Sequence, residues 1–404
     1  MTGRNTPAGR VLVVNAGSSS LKVSLLDAVG RVVDELGIDG WDGDAGHGGL
    51  ADFVSKLGDV DAAGHRVVHG GSRFTGPVLL DDAAIAAIGA LTDLAPLHQP
   101  RALAGIAAVR ALLPEVPAVA CFDTSFHAAL PAAAATYALP LAWRERFGLR
   151  RFGFHGLSHA YAARRGAELA GGMPAAGAAG QDGLGGNDPE QDGDGAAARV
   201  RMVTCHLGAG ASLAAVRYGL SVDTTMGFTP LEGLVMATRS GSVDPGLLVW
   251  LQQHGGLSLA ELSAGLEFAA GLAGLAALPD GSGDMRAVSA AADAGQPAAR
   301  LAVDVYVHRL RREIAAMAAA MNGFEVLVFT GGIGEHAPTV RAAAAAGLGF
   351  LGVALDPRRN AAVRADGDIT APGAAVRTVV VTAREDIEIA RQTRAVVSRA
   401  AISR

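Results

Sequence analysis

Cysteine is nearly missing from this chain: Cys121 and Cys205 are the only two in 404 residues. With no CxxC spacing they exclude a disulfide framework and a cysteine-ligated zinc site, and they suit a reducing cytosol. Both are expected at the ends of buried strands. A large excess of charge of one sign is also missing, since the formal net charge is only -5. That balance offers no basic stripe for nucleic acid or an anionic membrane, so any anion site must be built from a few local Arg, Lys and backbone amide groups. Long apolar runs are absent as well. The alanine-rich stretch 342–355 is too short to span a bilayer and is broken by glycines. The N-terminus carries Arg4 and Arg10 but only a short apolar run before Asn15, so it reads as neither a secretory signal nor an anchor.

What is present is bulk and alternation. The length predicts two or more domains, each able to bury a core, and half of the residues are apolar. Apolar runs at 11–14 and 23–26 flank N-A-G-S-S-S-L-K, which begins at Asn15. This reads as a phosphate-binding β-hairpin: Gly17 permits a tight turn, hydroxyls and turn amides converge on an anion, and Lys22 adds a positive charge. Strands are predicted at 30–36, 63–69 and 116–122, with helices at 82–91 and 100–112. The last of these strands delivers Asp123 at its C-terminal end, where open α/β sheets place their ligands.

From 171 to 198 the composition turns to Gly, Ala, Asp, Gln and Pro with almost no large apolar residue. Such a segment cannot offset its ordering entropy and is read as a flexible insertion, a linker being the rival reading. Strand signals resume at 200–206, followed by the turn 208–210 and Ser212-Leu213, an echo of Ser20-Leu21. The doubled hairpin is the mark of a duplicated domain. Helices are predicted at 245–254, 258–268 and 299–321. The last has Val303, Val307, Leu310, Ile314, Met317 and Met321 on one stripe, for a core or a subunit interface. A strand at 326–330 runs into Gly331-Gly332-Ile333-Gly334-Glu335, an order that brings bare backbone and a helix N-terminus to a nucleotide. A final strand, 376–381, precedes Glu385 and a terminal helix.

The charged candidates stand on glycine-flanked loops. Arg66 lies within G-H-R-V-V-H-G-G and Arg239 within T-R-S-G-S-V-D-P. A guanidinium inside a strand implies an anionic partner, either a ligand or a structural carboxylate. His155 and His159 are four apart, but Gly156 leaves His155 just before the helix, which favours a single neutral donor over a zinc pair. Serines, amides, two arginines, one histidine and the carboxylates Asp123 and Glu385 form a phosphoryl-transfer inventory without a nucleophile. An acceptor that is itself a carboxylate needs no general base, because it is ionised at neutral pH.

These segments, with L-A-P-L-H from Leu94, F-D-T-S-F-H from Phe122, G-F-H-G-L-S-H from Gly153, H-L-G-A-G-A-S from His206, M-G-F-T-P-L-E-G from Met226 and G-I-G-E-H from Gly332, resemble the acetate kinase family of short-chain acyl kinases. The resemblance implies an α/β fold of two ribonuclease H-like domains, of the actin, hexokinase and Hsp70 sugar-kinase superfamily, flanking a cleft. It places an N-terminal domain at 1–150, completed by a helix at 386–404, and a nucleotide-binding domain at 151–385. It implies reversible transfer of a phosphoryl group from ATP to acetate in a cytoplasmic homodimer requiring Mg2+ or Mn2+. A propionate or butyrate kinase is the near alternative, and a non-kinase actin-like switch protein the distant one.

By the same resemblance Arg66, Asp123, His155 and Arg239 are catalytic, Asp123 by orienting Arg66 rather than as a base. Asn15 and Glu385 match metal positions, and Val68, Leu97, Phe154 and Pro230 enclose the acetate methyl. Nucleotide contacts fall on Ser18, Ser20 and Lys22, and on His206, Leu207, Gly208, Ala209 and Gly210. They continue at Asp284, Met285 and Arg286, and at Gly332, Ile333, Gly334, Glu335 and His336. Three departures stand out: Ala209 and Arg384 where the family carries asparagine, and the insertion.

Overall fold

The computed structural model describes residues 9–17, 20–41, 43, 49–171 and 200–402. Ser18, Ser19 and all of the proposed insertion except Gly171 lie outside the described residues. The chain divides into two compact units. Unit 1 comprises Met1–Ala129, Phe152–Tyr161 and Arg384–Arg404, and unit 2 comprises Leu130–Arg151 and Ala162–Ala383.

Unit 1 is built on six strands: β1 (Val11–Ala16), β2 (Ser20–Leu26), β3 (Val32–Asp39), β4 (Ala62–Val67), β5 (Val78–Leu79) and β6 (Ala118–Phe122). Their order in the sheet is β3-β2-β1-β4-β6-β5. β1 to β3 form an antiparallel meander, β1, β4 and β6 run parallel, and β5 returns antiparallel at the edge. The continuous run Val11–Val14 follows from burial on both faces. Leu12 and Val14 join the core that includes Ile106 and Val109 of the helix Gln99–Leu112, while Val11 and Val13 pack with Ile389 of the helix Glu385–Ile402. That second helix sits so close to β4 that a Cβ on Gly64 would lie 2.3 Å from Thr393 Oγ1.

Unit 2 repeats the plan with β7 (Arg201–Leu207), β8 (Ala211–Arg217), β9 (Leu220–Thr224), β10 (Val326–Thr330), β11 (Gly367–Asp368) and β12 (Arg377–Val380). Its order, β11-β12-β10-β7-β8-β9, is that of unit 1 strand for strand, with the same parallel and antiparallel pairings. The long helix Pro297–Ala320 buries Leu310, Ile314 and Met317, so its stripe belongs to the core of this chain.

Element edges moved by a few residues. The predicted strand at 30–36 begins later, at Val32, because Asp27 accepts from the amides of Val29 and Arg31 and Gly30 adopts φ 82°, closing a turn. The strand expected to reach His69 stops at Val67, where Gly70 N–H turns to Thr124 Oγ1 and Gly71 N–H to His69 Nδ1. Cys121 and Cys205 are buried within β6 and β7 rather than at their ends, and burial pushes both thiols up, that of Cys121 to about 12.

Candidate functional site

In unit 1 the charged candidates meet at the C-terminal ends of the parallel strands. Arg66 on β4 grips Asp123, the residue after β6, with Nε 3.0 Å from Oδ1 and Nη2 2.7 Å from Oδ2. Its Nη1 donates to Asn15 Oδ1 at 3.2 Å and lies 3.5 Å from Glu385 Oε2. Burial works against the guanidinium charge, but Asp123 and Glu385 outweigh it and raise its pKa above the ordinary value. Burial keeps the Asp123 carboxyl above its ordinary value against the pull of Arg66, and the two stand 2.7 Å apart as a salt bridge. Two carboxylates around one guanidinium leave an excess negative charge.

Among the described residues no group of three His, Cys, Asp or Glu side chains is placed to hold a metal ion. The oxygens of Asn15 and Glu385 nevertheless suit a hard cation that keeps most of its waters. Lys22 is exposed on β2, directly opposite Asn15 in the register, and Gly17 N–H closes the hairpin on Ser20 O at 2.7 Å.

His155 is set by backbone geometry. It has φ 55°, a costly value for a residue with a side chain, and the next residue, Gly156, donates to Asp123 O at 2.8 Å. A Cβ on Gly156 would lie 2.3 Å from that oxygen, so the approach of His155's segment to Asp123 requires glycine. His127 Nε2 sits 3.1 Å from Phe154 O. Phe154 is buried, Val68 half-buried and Leu97 44% exposed.

Arg239 lies in unit 2, away from any carboxylate at salt-bridge distance among the described residues. Its Nη1 donates to Pro230 O at 2.8 Å. Burial pulls its pKa down, and only the more distant Glu267 opposes this. A covered guanidinium without a nearby counter-charge has room for an anionic partner. The segment that holds it is tightly tied: Met236 N–H donates to Arg239 O, and Ala237 N–H to Ala209 O.

A cavity of about 610 Å³ opens in unit 2 beside these ties. Of the predicted nucleotide residues, Gly208, Ala209, Asp284, Met285 and Arg286 line it, as do Gly332, Ile333 and His336. His206, Leu207, Gly210, Gly334 and Glu335 do not; Glu335 instead accepts from Ala383 N–H through Oε1. The wall also includes Ala237, Gly283, Ser289 and the start of the helix Pro338–Ala346 at Ala337, Pro338 and Thr339, which the sequence motifs do not mark. A Cβ on Gly283 would lie 2.1 Å from Ala237 O, so the glycine ahead of the Asp284 cap was the available signal.

The family follows from comparison of the whole chain. The model of the Acetokinase family matches residues 50–175 and 193–391. This chain belongs to the acetokinase family. The acetate kinase of Synechococcus sp. is 44% identical over 419 residues, covering 94% of this chain and 97% of that protein. Among solved acetokinase structures, the acetate kinase of Porphyromonas gingivalis superposes with a TM-score of 0.83 at 34% identity, over 96% of this chain and all of the other. A propionate kinase from Francisella tularensis gives 0.82 at 31%, over 96% and 99%. The two-domain, actin-like architecture is thereby that of this chain.

Two arginines of this chain take their meaning only from the structure. Arg384, the added charge, is bound by Asp386 through Nε to Oδ1 at 2.9 Å and Nη2 to Oδ2 at 2.8 Å, which neutralises it in place. Arg341, buried to 1% exposure, braces the helix Gly331–His336 by donating to the carbonyls of Gly334 and Glu335, and holds Asn360 Oδ1 and O.

Proposed function

We propose that the protein is an acetate kinase that passes the terminal phosphoryl group of ATP to acetate, directly and reversibly. A carboxylate oxygen forms the new P–O bond as the bond to ADP breaks, and no proton has to leave because acetate is already ionised. The acetokinase match over most of the chain carries this reading, and the uncompensated Arg239 supports it. Arg239 binds the anionic acceptor and the phosphoryl group in transit, with Arg66 sharing that charge. Asp123 positions Arg66, and His155 donates to a phosphoryl oxygen. The unit 2 cavity takes the nucleotide, whose phosphates approach bare backbone at Gly208 and Gly332.

Asn15 and Glu385 are the residues that would hold Mg2+ or Mn2+, which supplies neutralisation of phosphate charge when bound. Val68, Leu97, Phe154 and Pro230 exclude longer acids, although one methylene discriminates by only about 1–3 kcal/mol. No helix among the described residues is long and apolar enough to cross a membrane, and we take the protein as a cytosolic homodimer. Leu247, Val249 and Trp250, each about half exposed on the helix Pro245–Gln253, are the surface a second copy would cover; sedimentation at micromolar protein checks this.

The experiment is trapping of the acyl phosphate by hydroxylamine with ATP, Mg2+ and a series of short acids. Acetate should give the highest kcat/KM. A higher value for propionate would refute the pocket assignment, and ATP hydrolysis indifferent to any acid would refute the kinase.

A further inference from the structure

Among the described residues the side chain of Arg239 is aimed by a single hydrogen bond, to a carbonyl in an irregular segment, and that segment is held from beneath by a polar cluster. Glu232 stands at its centre. Its Oε1 accepts from Arg151 Nη2 at 2.7 Å and its Oε2 from the Tyr137 hydroxyl at 2.7 Å. Tyr137 oxygen in turn accepts from Phe228 N–H at 2.8 Å, and Arg151 Nη1 donates to Met226 O at 2.9 Å. The Arg151 guanidinium also lies over the Tyr137 ring, 5.5 Å from its centroid.

The stretch 226–232 is thus pinned at both ends, by Arg151 and Tyr137 at Met226 and Phe228 and by the same two residues at Glu232. Pro230, between the pins, presents its carbonyl to Arg239 Nη1 at 2.8 Å. Gly227 leaves room for the arrangement, because a Cβ there would lie 1.9 Å from Glu232 Oε2 and 2.2 Å from the Tyr137 hydroxyl. None of residues 225–233 lines the nucleotide cavity.

We infer that Glu232, clamped by Arg151 and Tyr137, is a positioning residue for Arg239: it fixes the Pro230 carbonyl and through it the direction of the guanidinium. The inference rests on the reading of Arg239 as the cation that meets the acceptor and the phosphoryl group. A carboxylate with both oxygens engaged defines a loop position far better than one hydrogen bond does. Removing it takes the counter-charge from Arg151 and the acceptor from the Tyr137 O–H, and so loosens the segment that carries Pro230. A guanidinium misplaced by about 1 Å costs on the order of 100-fold in rate.

The test is a double-mutant cycle on kcat for acetyl phosphate formation, with Glu232→Ala, Tyr137→Phe and Arg239→Ala. Glu232→Ala should lower kcat by about 10- to 100-fold, and Tyr137→Phe, which keeps the ring under Arg151, by less. Nucleotide affinity should stay within about two-fold of the parent in both variants. In the Arg239→Ala background, Glu232→Ala should add less than about three-fold, because the residue it aims is gone. Losses that simply multiply would overturn the inference, as would a fall in nucleotide affinity equal to the fall in kcat.

A second readout needs no turnover: the rate at which phenylglyoxal modifies Arg239, followed by peptide mass spectrometry. It should rise in Glu232→Ala and to a smaller extent in Tyr137→Phe, and an unchanged rate in both variants would refute the coupling. Wild-type protein without acetate-dependent turnover would remove the functional reading alone, leaving the labelling result to decide this one.

Discussion

The two units share a six-strand order and differ in what stands where the strands end. In unit 1, β1, β4 and β6 finish near Asn15, Arg66 and Asp123, so charge and hydrogen-bonding side chains collect at one edge of the sheet. In unit 2 the equivalent strands β7, β10 and β12 finish near Gly208, Gly331 and Thr382, and the edge is largely backbone beside a cavity. One architecture therefore supports a charged centre in one copy and a bare cradle in the other. The chemistry belongs to the strand-end residues, not to the sheet that carries them. The two arginines sharpen the contrast. Arg66 is over-compensated by Asp123 and Glu385, and Arg239 has no carboxylate in contact among the described residues. The first arrangement tolerates a cation nearby; the second calls for an anion.

The largest effect should come from the uncompensated arginine. Arg239→Ala is expected to lower kcat for acetyl phosphate formation by about 100- to 1000-fold in initial-rate assays. Because Arg239 lacks a structural ion pair, its thermal midpoint should scarcely change. A variant that lost stability and kept turnover would reverse the assignment of the two arginines. On the bare edge, Gly283→Ala drives a Cβ toward Ala237 O. Titration with a fluorescent nucleotide should show affinity weakened by about 10- to 100-fold.

A third difference is in buried histidines. Burial holds His65 neutral, with its pKa lowered to about 3, and His69 and His127 neutral with values of about 4. All three are in unit 1. Between pH 6.5 and 4 the unfolded chain binds protons that the native unit refuses, so stability is whole above 6.5 and falls on acidification. The slope is about 1.4 kcal/mol per pH unit for each imidazole. In unit 2 burial lifts the Asp223 carboxyl, which works the other way. Urea midpoints followed through the buried Trp41 of unit 1 should fall from pH 7 to pH 5, and a flat profile would show that the histidines are protonated in the fold. The smallest effect concerns the acid: Val68→Ala should shift the propionate to acetate ratio of kcat/KM by about 1 kcal/mol toward propionate.

Features with local chemistry were legible in the sequence. Glycine-rich turns after apolar runs announced both hairpins, and Arg66, set inside a strand signal, announced its need for an anionic partner, which proved to be Asp123. Residues whose roles depend on distant partners were not legible. Tyr137 and Arg151 precede Glu232 by 95 and 81 positions, and no spacing rule joins them. Arg341 hides in the alanine-rich helix Pro338–Ala346, where an arginine ordinarily reads as a solvated surface residue. Only its register with Val340, Ala344 and Ala345 on the buried face marks it as internal. Lining residues such as Ser289 and Thr339 became visible only once the fold had gathered their helices around the cavity.

The separation of duties between the two sheet edges is tested most directly by comparing nucleotide affinity with turnover in a single variant, Arg66→Ala. The account predicts that the dissociation constant for the nucleotide stays within about two-fold of the parent while acetate-dependent kcat falls by at least about 30-fold. Equal losses in affinity and turnover would contradict it, because the charged edge would then be part of the nucleotide cradle.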